Sequence, residues 1–148
     1  MADILGKQKL CHEMIGASDL VMLDSHLSIA MACCKLFNHK VRSIAILQDG
    51  AIIGLVSDRD LVCSIIVAGL DPGITRLFDI ASKFLHTLAW DASASEALEM
   101  MQACGYHHML VERNGVVIGV LSLHDLVYEV RRSPVPASEP ARPVSRAG

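Results

Sequence analysis

Asp49-Gly50-Ala51-Ile52-Ile53-Gly54-Leu55-Val56-Ser57-Asp58-Arg59-Asp60-Leu61-Val62 recurs 65 positions later as Asn114-Gly115-Val116-Val117-Ile118-Gly119-Val120-Leu121-Ser122-Leu123-His124-Asp125-Leu126-Val127. Seven of the 14 positions are identical, and most of the others exchange one aliphatic side chain for another. A repeat of this length makes the chain a duplicated supersecondary unit whose halves share one core. In each copy a dipeptide that tolerates positive φ, Asp49-Gly50 or Asn114-Gly115, sits between two apolar runs, the pattern of a tight β-hairpin.

Upstream, the repeat is read at an offset of 67, pairing Asp24 with Asp91, Ser28 with Ser95 and Ala30 with Ala97. That reading gives copy one two extra residues before its next strand. It places Ala30, Met31, Cys34 and Phe37 on one apolar helical face, matching Ala97, Leu98, Met101 and Cys104. Each copy is then predicted to run β-α-β-β-α. Strands are expected at 21–23, 43–47 and 51–56, with helices near 27–38 and 58–68. Copy two repeats the order with strands at 87–89, 108–112 and 116–121 and helices near 94–104 and 123–131. The apolar runs at 45–47 and 52–56 predict strands covered on both faces. Residues 75–83 read as a short helix leading into copy two, and residues 8–16 do the same for copy one. The turn cluster 69–74 links two motifs spanning 8–68 and 75–132.

Composition limits the function classes. The chain has 148 residues, 52% hydrophobic and 20% charged, with a net charge of −3. That balance argues against disorder and against general nucleic-acid affinity. Aromatics are only 4%, so the core is built from aliphatic side chains and methionine. No apolar run approaches the roughly 18 residues needed to span a bilayer. The first ten residues lack a signal layout, and five cysteines show no framework spacing. The expectation is a cytoplasmic protein with reduced thiols and no membrane partner. Arg131, Arg132, Arg142 and Arg146 against Glu139 give the last 18 residues a charge of +3, leaving −6 for the rest. Residues 133–148, with four of the five prolines, read as a flexible basic tail.

The double pattern Asp/Asn-Gly-x-x-x-Gly-aliphatic-x-Ser-x-x-Asp-Leu, each copy preceded by an amphipathic helix, resembles the cystathionine-β-synthase-type (CBS) domain. Two tandem copies resemble a Bateman module, over about residues 8–131. The resemblance implies an α+β fold, two β-α-β-β-α repeats packed as a pseudo-two-fold sandwich with clefts between the halves, and pairing into a homodimer. It maps the family's ligand motif onto Gly54, Ser57 and Asp60, and again onto Gly119, Ser122 and Asp125. Arg59, before Asp60, takes the phosphate-binding place, and the second copy has His124 there. Ala45 and Leu110 stand where the family often has proline. The function implied is regulatory binding of an adenosine nucleotide (AMP, ADP, ATP or S-adenosylmethionine), coupled to an unidentified regulated protein, with no catalytic residues.

The residue types suit that ligand. An ionised Asp accepts from both hydroxyls of a ribose, a helix start favours phosphate, and Arg adds a forked contact. Glycine leaves room for close backbone approach. The same Ser-x-x-Asp spacing is also a helix capping box, so Ser57/Asp60 and Ser122/Asp125 act as caps, as ligands, or as both. A dimerisation module with empty sites is the alternative function. Cys33-Cys34, with His39 following, lacks the spacing of an activated nucleophile, and Cys34 reads as core by its match to Met101. His107 and His108 are adjacent on a strand, where side chains diverge, and no metal-ligand spacing occurs. Met100, Met101 and Met109 read as core filler.

Overall fold

The computed structural model describes residues 9–15, 20–83 and 86–132. The tail at 133–148 lies outside the described residues.

Two three-stranded sheets form with identical topology. In the first, β1 (Met22–Asp24) pairs parallel with β2 (Ser43–Gln48), which pairs antiparallel with β3 (Ala51–Ser57). In the second, β4 (Thr87–Ala89), β5 (His108–Arg113) and β6 (Val116–Ser122) repeat the pattern. The hairpins close on Asp49 and Gly50 (φ 50° and 79°) and on Asn114 and Gly115 (φ 52° and 77°). Positive φ at both central positions is the turn whose twist matches paired strands. Each hairpin also carries one bulge, at Ile46/Leu47 and Val111/Glu112. The expected β-α-β-β-α order is therefore present twice.

The helices correct the upstream alignment. Helix α2 (Ile29–His39) is capped by Ser28, and α5 (Ala94–Cys104) by Ser93 in a reciprocal box with Glu96. Ser28 and Ser93 are 65 apart, so one offset runs through the whole repeat and copy one has no insertion. The reading at 67 followed the chance likeness of Asp24 to Asp91 and Ser28 to Ser95; it was the Ser93–Glu96 box that fixed where the helix begins. The buried face shifts accordingly. Ile29, Ala32 and Leu36 are buried in α2, and Ala94, Ala97 and Met101 in α5. Met31, Cys34 and Phe37 point outward, Phe37 at 83% exposure, so Cys34 is not a core residue. Met101 and Met109 are buried as expected, whereas Met100 is exposed.

After β3, α3 (Asp58–Val62) widens into a π-helical turn over Cys63–Val67, with Ala68 N–H donating to the Cys63 carbonyl at 3.0 Å. The β-branched run Ile65-Ile66-Val67 is a weak α-helix former. Its counterpart α6 (Leu123–Arg132) stays α-helical.

The one shared core expected from the repeat is not what forms: each sheet has its own apolar core on the helix-covered face. Ile44, Ile46, Val56 and Leu61 fill the first, and Met109, Val111, Leu121 and Leu126 the second. The short leader helices are exchanged between these cores. Helix α1 (Cys11–Met14) precedes repeat one yet buries Cys11 in the second core. Cys11 N–H donates to Ala92 (2.8 Å) and His12 N–H to Trp90 (3.0 Å). Helix α4 (Leu77–Ile80) precedes repeat two yet buries Leu77 in the first core. Leu77 N–H donates to Leu27 (2.8 Å), and Ser82 and Leu55 exchange backbone bonds of 3.1 and 3.3 Å. Among the described residues, no helix is long and apolar enough to cross a membrane.

The two motif glycines serve this exchange. A Cβ on Gly54 would lie 2.8 Å from the Ser82 carbonyl oxygen and 2.9 Å from Ala81 Cβ. A Cβ on Gly119 would meet the Ile15 side chain at 2.8 Å. Gly54→Ala therefore forces backbone apart and is expected to cost about 1–3 kcal/mol, at about 2–4 °C of melting temperature per kcal/mol. Gly119→Ala is expected to cost less, because Ile15 Cδ1 can turn aside and its Cβ and Cγ2, at 3.0 and 3.1 Å, need give only a few tenths of an ångström. Thermal melting of the two variants checks the order.

Candidate functional site

The strand faces turned away from the two cores line a single cleft of about 1060 Å³ between the sheets. Strand alternation explains its walls. Ile44 and Ile46 enter the first core, so Ser43 and Ala45 face the other way, as His108 and Leu110 do in β5. Ala45 and Leu110 are buried yet belong to neither core. The hairpin register sets Ser43 opposite Ser57 and His108 opposite Ser122. Leu55 and Val120 supply apolar wall.

At one end of the cleft, β3 runs directly into α3. Ser57 Oγ accepts from Asp60 N–H at 3.2 Å, and Asp60 Oδ2 accepts from Ser57 N–H at 2.8 Å and Ser57 Oγ at 2.7 Å. The capping box is complete, yet it engages only one carboxylate oxygen. Among the described residues, Asp60 Oδ1 accepts no hydrogen bond. At the other end, Asp125 Oδ2 accepts from Ser122 Oγ at 2.5 Å, and Ser122 Oγ accepts from Asp125 N–H at 3.2 Å.

Ser57, Arg59, Asp60, Ser122, His124 and Asp125 all line this cleft. Gly54 and Gly119 are not part of its lining; the space their missing side chains leave is filled by Ala81–Ser82 backbone and by Ile15. Lys40, Arg42, His86, His107 and His108 are cleft residues that the motif reading passed over. A sequence signal for some of them existed: the hairpin places the residues just before β2 and β5 beside the Ser57 and Ser122 strand ends.

Electrostatics differ along the cleft. Arg42 Nε pairs with Asp58 Oδ2 at 3.0 Å, while Asp58 N–H donates to the Arg42 carbonyl at 2.9 Å. The matching backbone bond runs from Leu123 N–H to the His107 carbonyl at 2.7 Å, with no ion pair possible. Among the described residues, His108 Nε2 is fully buried without a hydrogen-bond partner. Burial holds its pKa below the ordinary 6.5, Arg42 and His107 add to the depression, and Asp58 and Asp125 oppose it. A buried polar atom left unpaired is costly, and such atoms in native folds generally have a partner to explain them.

Neither Cys11 nor Cys33 is an activated thiol. Burial, with Glu96 and Asp91 adding to it, pushes the Cys11 thiol up to about 11, and burial also raises Cys33. An activated thiol needs the opposite shift. Among the described residues, no group of three His, Cys, Asp or Glu side chains is placed to hold a metal ion.

Comparison with known proteins gives the family. The CBS domain model matches twice, over residues 14–66 and 76–132. An uncharacterised protein of Methanopyrus kandleri is 28% identical over 95 residues, 63% of this chain and 48% of its own. A CBS domain-containing protein of Arabidopsis thaliana is 27% identical over 99 residues, 66% of this chain and 18% of its own. The chain thus spans half or less of the length of these two relatives. Among solved structures, a CBS-domain protein from Agrobacterium tumefaciens superposes with TM-score 0.76 at 22% identity, covering 88% of this chain and 99% of that one. A conserved protein from Pyrococcus horikoshii gives 0.75 at 23%, covering 88% and 96%. The CBS domain pair of protein MJ0100, solved with 5′-methylthioadenosine and S-adenosyl-L-methionine, gives 0.71 at 15%, covering 82% and 94%. With both halves of the repeat matched by the same family model and the whole sandwich matched by solved pairs, this chain belongs to the CBS domain family as a tandem pair.

Proposed function

We propose that the chain is a regulatory module that binds an adenosine nucleotide (AMP, ADP, ATP or S-adenosylmethionine) in the cleft between its two CBS motifs. The observation carrying this reading is the meeting of two strand-to-helix Ser–Asp corners in one cleft, with His108 Nε2 unsatisfied on its wall. Asp60 Oδ1 and Asp125 are the ribose acceptors, Arg59 meets phosphate, and Leu55 and Val120 offer an apolar seat for a base. The MJ0100 pair, similar in fold, was solved with two adenosine compounds, which supports this ligand class. No residue is assigned a catalytic role. The ligand regulates by favouring one arrangement of the halves, and only a difference in affinity between arrangements can do so. On this reading the module acts in the cytoplasm, on the protein it regulates.

A homodimer fits the outer surface. Phe37, Val62, Ile66 and Val67 lie exposed on α2 and on the helix after β3, Phe37 and Val67 at more than 80%. Large apolar side chains in such number mark an association surface. A second copy of the chain is the proposed occupant, and Ile66→Asp is expected to shift the protein toward monomer in sedimentation.

Thermal melting against AMP, ADP, ATP, S-adenosylmethionine and GTP tests the ligand. A compound at about 100 times its dissociation constant adds about 2.7 kcal/mol, or about 5–10 °C. Adenine compounds are expected to raise the melting temperature and GTP not. Asp60→Asn keeps a cap acceptor and is expected to reduce the shift given by ATP while the fold survives; undiminished ATP affinity would sink the assignment of Asp60. No shift with any compound would favour a dimerisation module whose Ser–Asp pairs are caps alone.

His108 adds a pH dependence with a definite sign. Its pKa in the fold lies below 6.5, so the unfolded chain takes up that proton first as pH falls. Its contribution is complete above about pH 6.5 and is lost on acidification. The melting temperature is expected to drop between pH 7.5 and 5.5, and less steeply in His108→Gln.

A further inference from the structure

With the repeats aligned at their constant offset of 65, the two ends of the cleft can be compared position by position. The Ser–Asp corners match: Ser57 with Ser122 and Asp60 with Asp125. The charged residues around them do not. Lys40 corresponds to Gly105, Arg42 to His107, Asp58 to Leu123 and Arg59 to His124, all of them on the cleft wall.

The fixed charges therefore differ in sign. Around Ser57 stand Lys40, Arg42 and Arg59 against Asp58 and Asp60, a balance of +1. Arg42 is committed to Asp58, whereas among the described residues Lys40 and Arg59 enter no ion pair. Around Ser122 the second repeat itself supplies only one fixed charge to the cleft, Asp125, a balance of −1; Arg42 and Asp58, which also act on His108, are paired with each other. Its other polar neighbours are imidazoles: His107, His124, and His108 in the place of Ser43. A phosphate entering the first end finds two uncommitted cations, Lys40 and Arg59. A phosphate entering the second end meets a carboxylate with no uncommitted guanidinium or ammonium from that repeat to offset it. The buried His108 Nε2 suits an uncharged hydroxyl or ring nitrogen as partner. The volume of about 1060 Å³ exceeds what one drug-sized ligand usually fills.

We propose that the two ends bind different classes of adenosine compound: a phosphorylated nucleotide at the Ser57–Asp60 end, and an adenosine derivative without phosphate at the Ser122–Asp125 end. The inference rests on the nucleotide reading above and adds to it a specificity for each end. Lys40 and Arg59 select for phosphate, and His107 and His124 withhold the fixed charge a phosphate requires.

Titration calorimetry of the full chain at pH 8 with ATP and with adenosine tests it. ATP is expected to saturate at one per chain, and ATP-saturated protein is expected to bind one further adenosine. The Lys40→Ala/Arg59→Ala variant should weaken ATP by at least about tenfold and leave that adenosine event intact. The His107→Arg/His124→Arg variant, which reproduces the cations of the first end, should gain a second ATP event. Two equivalent ATP events in the unaltered protein would overturn the asymmetry while leaving the nucleotide reading in place. So would a complete block of adenosine by ATP, or no gain in a His107→Arg/His124→Arg protein that melts like the parent. Absence of binding by both compounds would overturn the asymmetry and the nucleotide reading together.

Discussion

Leu77 in the core of repeat one and Cys11 in the core of repeat two are the contacts on which the rest of the molecule depends. Each belongs by sequence to the leader of the opposite repeat, and each is fully buried. Three strands and two helices leave an apolar edge that neither repeat covers with its own residues. The exchanged leaders close it, tied by backbone bonds from 71–82 to repeat one and from 9–12 to repeat two. Because the leaders cross between the halves, the sheets are held facing one another, and the cleft is a product of that crossing. Gly54 and Gly119 belong to the same device, since each accepts the opposing leader against its strand.

Most of the fold was legible in the sequence, and the reasons are local. Asp49-Gly50 and Asn114-Gly115 state their turn because few other dipeptides tolerate positive φ twice. The apolar strands and the β-α-β-β-α order follow from pattern alone. The helix phase was harder to read. Ser28 matches Ser95 by eye, but the cap is Ser93, because only Ser93 has Glu96 three residues on to complete the box. That slip of two residues turned Phe37 and Cys34 inward on paper, while the structure turns them out. The leader exchange left no mark in the repeat pattern, since a helix of four residues reads the same whichever core it enters.

The cleft was half legible. Ser57, Asp60, Ser122 and Asp125 stand out because strand, cap and carboxylate fall in one short motif. Lys40, Arg42, His107 and His108 do not, since their place in the cleft comes from hairpin register and from the facing of two sheets. The glycines show a different limit: a missing Cβ signals close approach, but the sequence does not say of what. Across the repeat, buried pairs such as Ile44/Met109 and Val56/Leu121 exchange only apolar for apolar, and Leu61/Leu126 is unchanged. The cleft pairs Arg42/His107 and Arg59/His124 exchange a guanidinium for an imidazole. Packing constrains the first set in both halves alike, and nothing in the core constrains the second.

The exchanged leaders also impose an order on folding as the chain leaves the ribosome. Repeat one cannot close its core until residues 71–82 have emerged, so its own strands and helices wait for the linker that follows them. Cys11 waits longer, because its hydrogen-bond partner is Ala92 and its core includes Leu126, more than a hundred positions away. Pairings of such sequence separation close slowly. At about 5–20 residues per second of synthesis, the amino-terminal segment stays without its core for several seconds or more. During that interval the second repeat of another copy offers it an identical seat, which makes early exchange between nascent chains a hazard built into the topology.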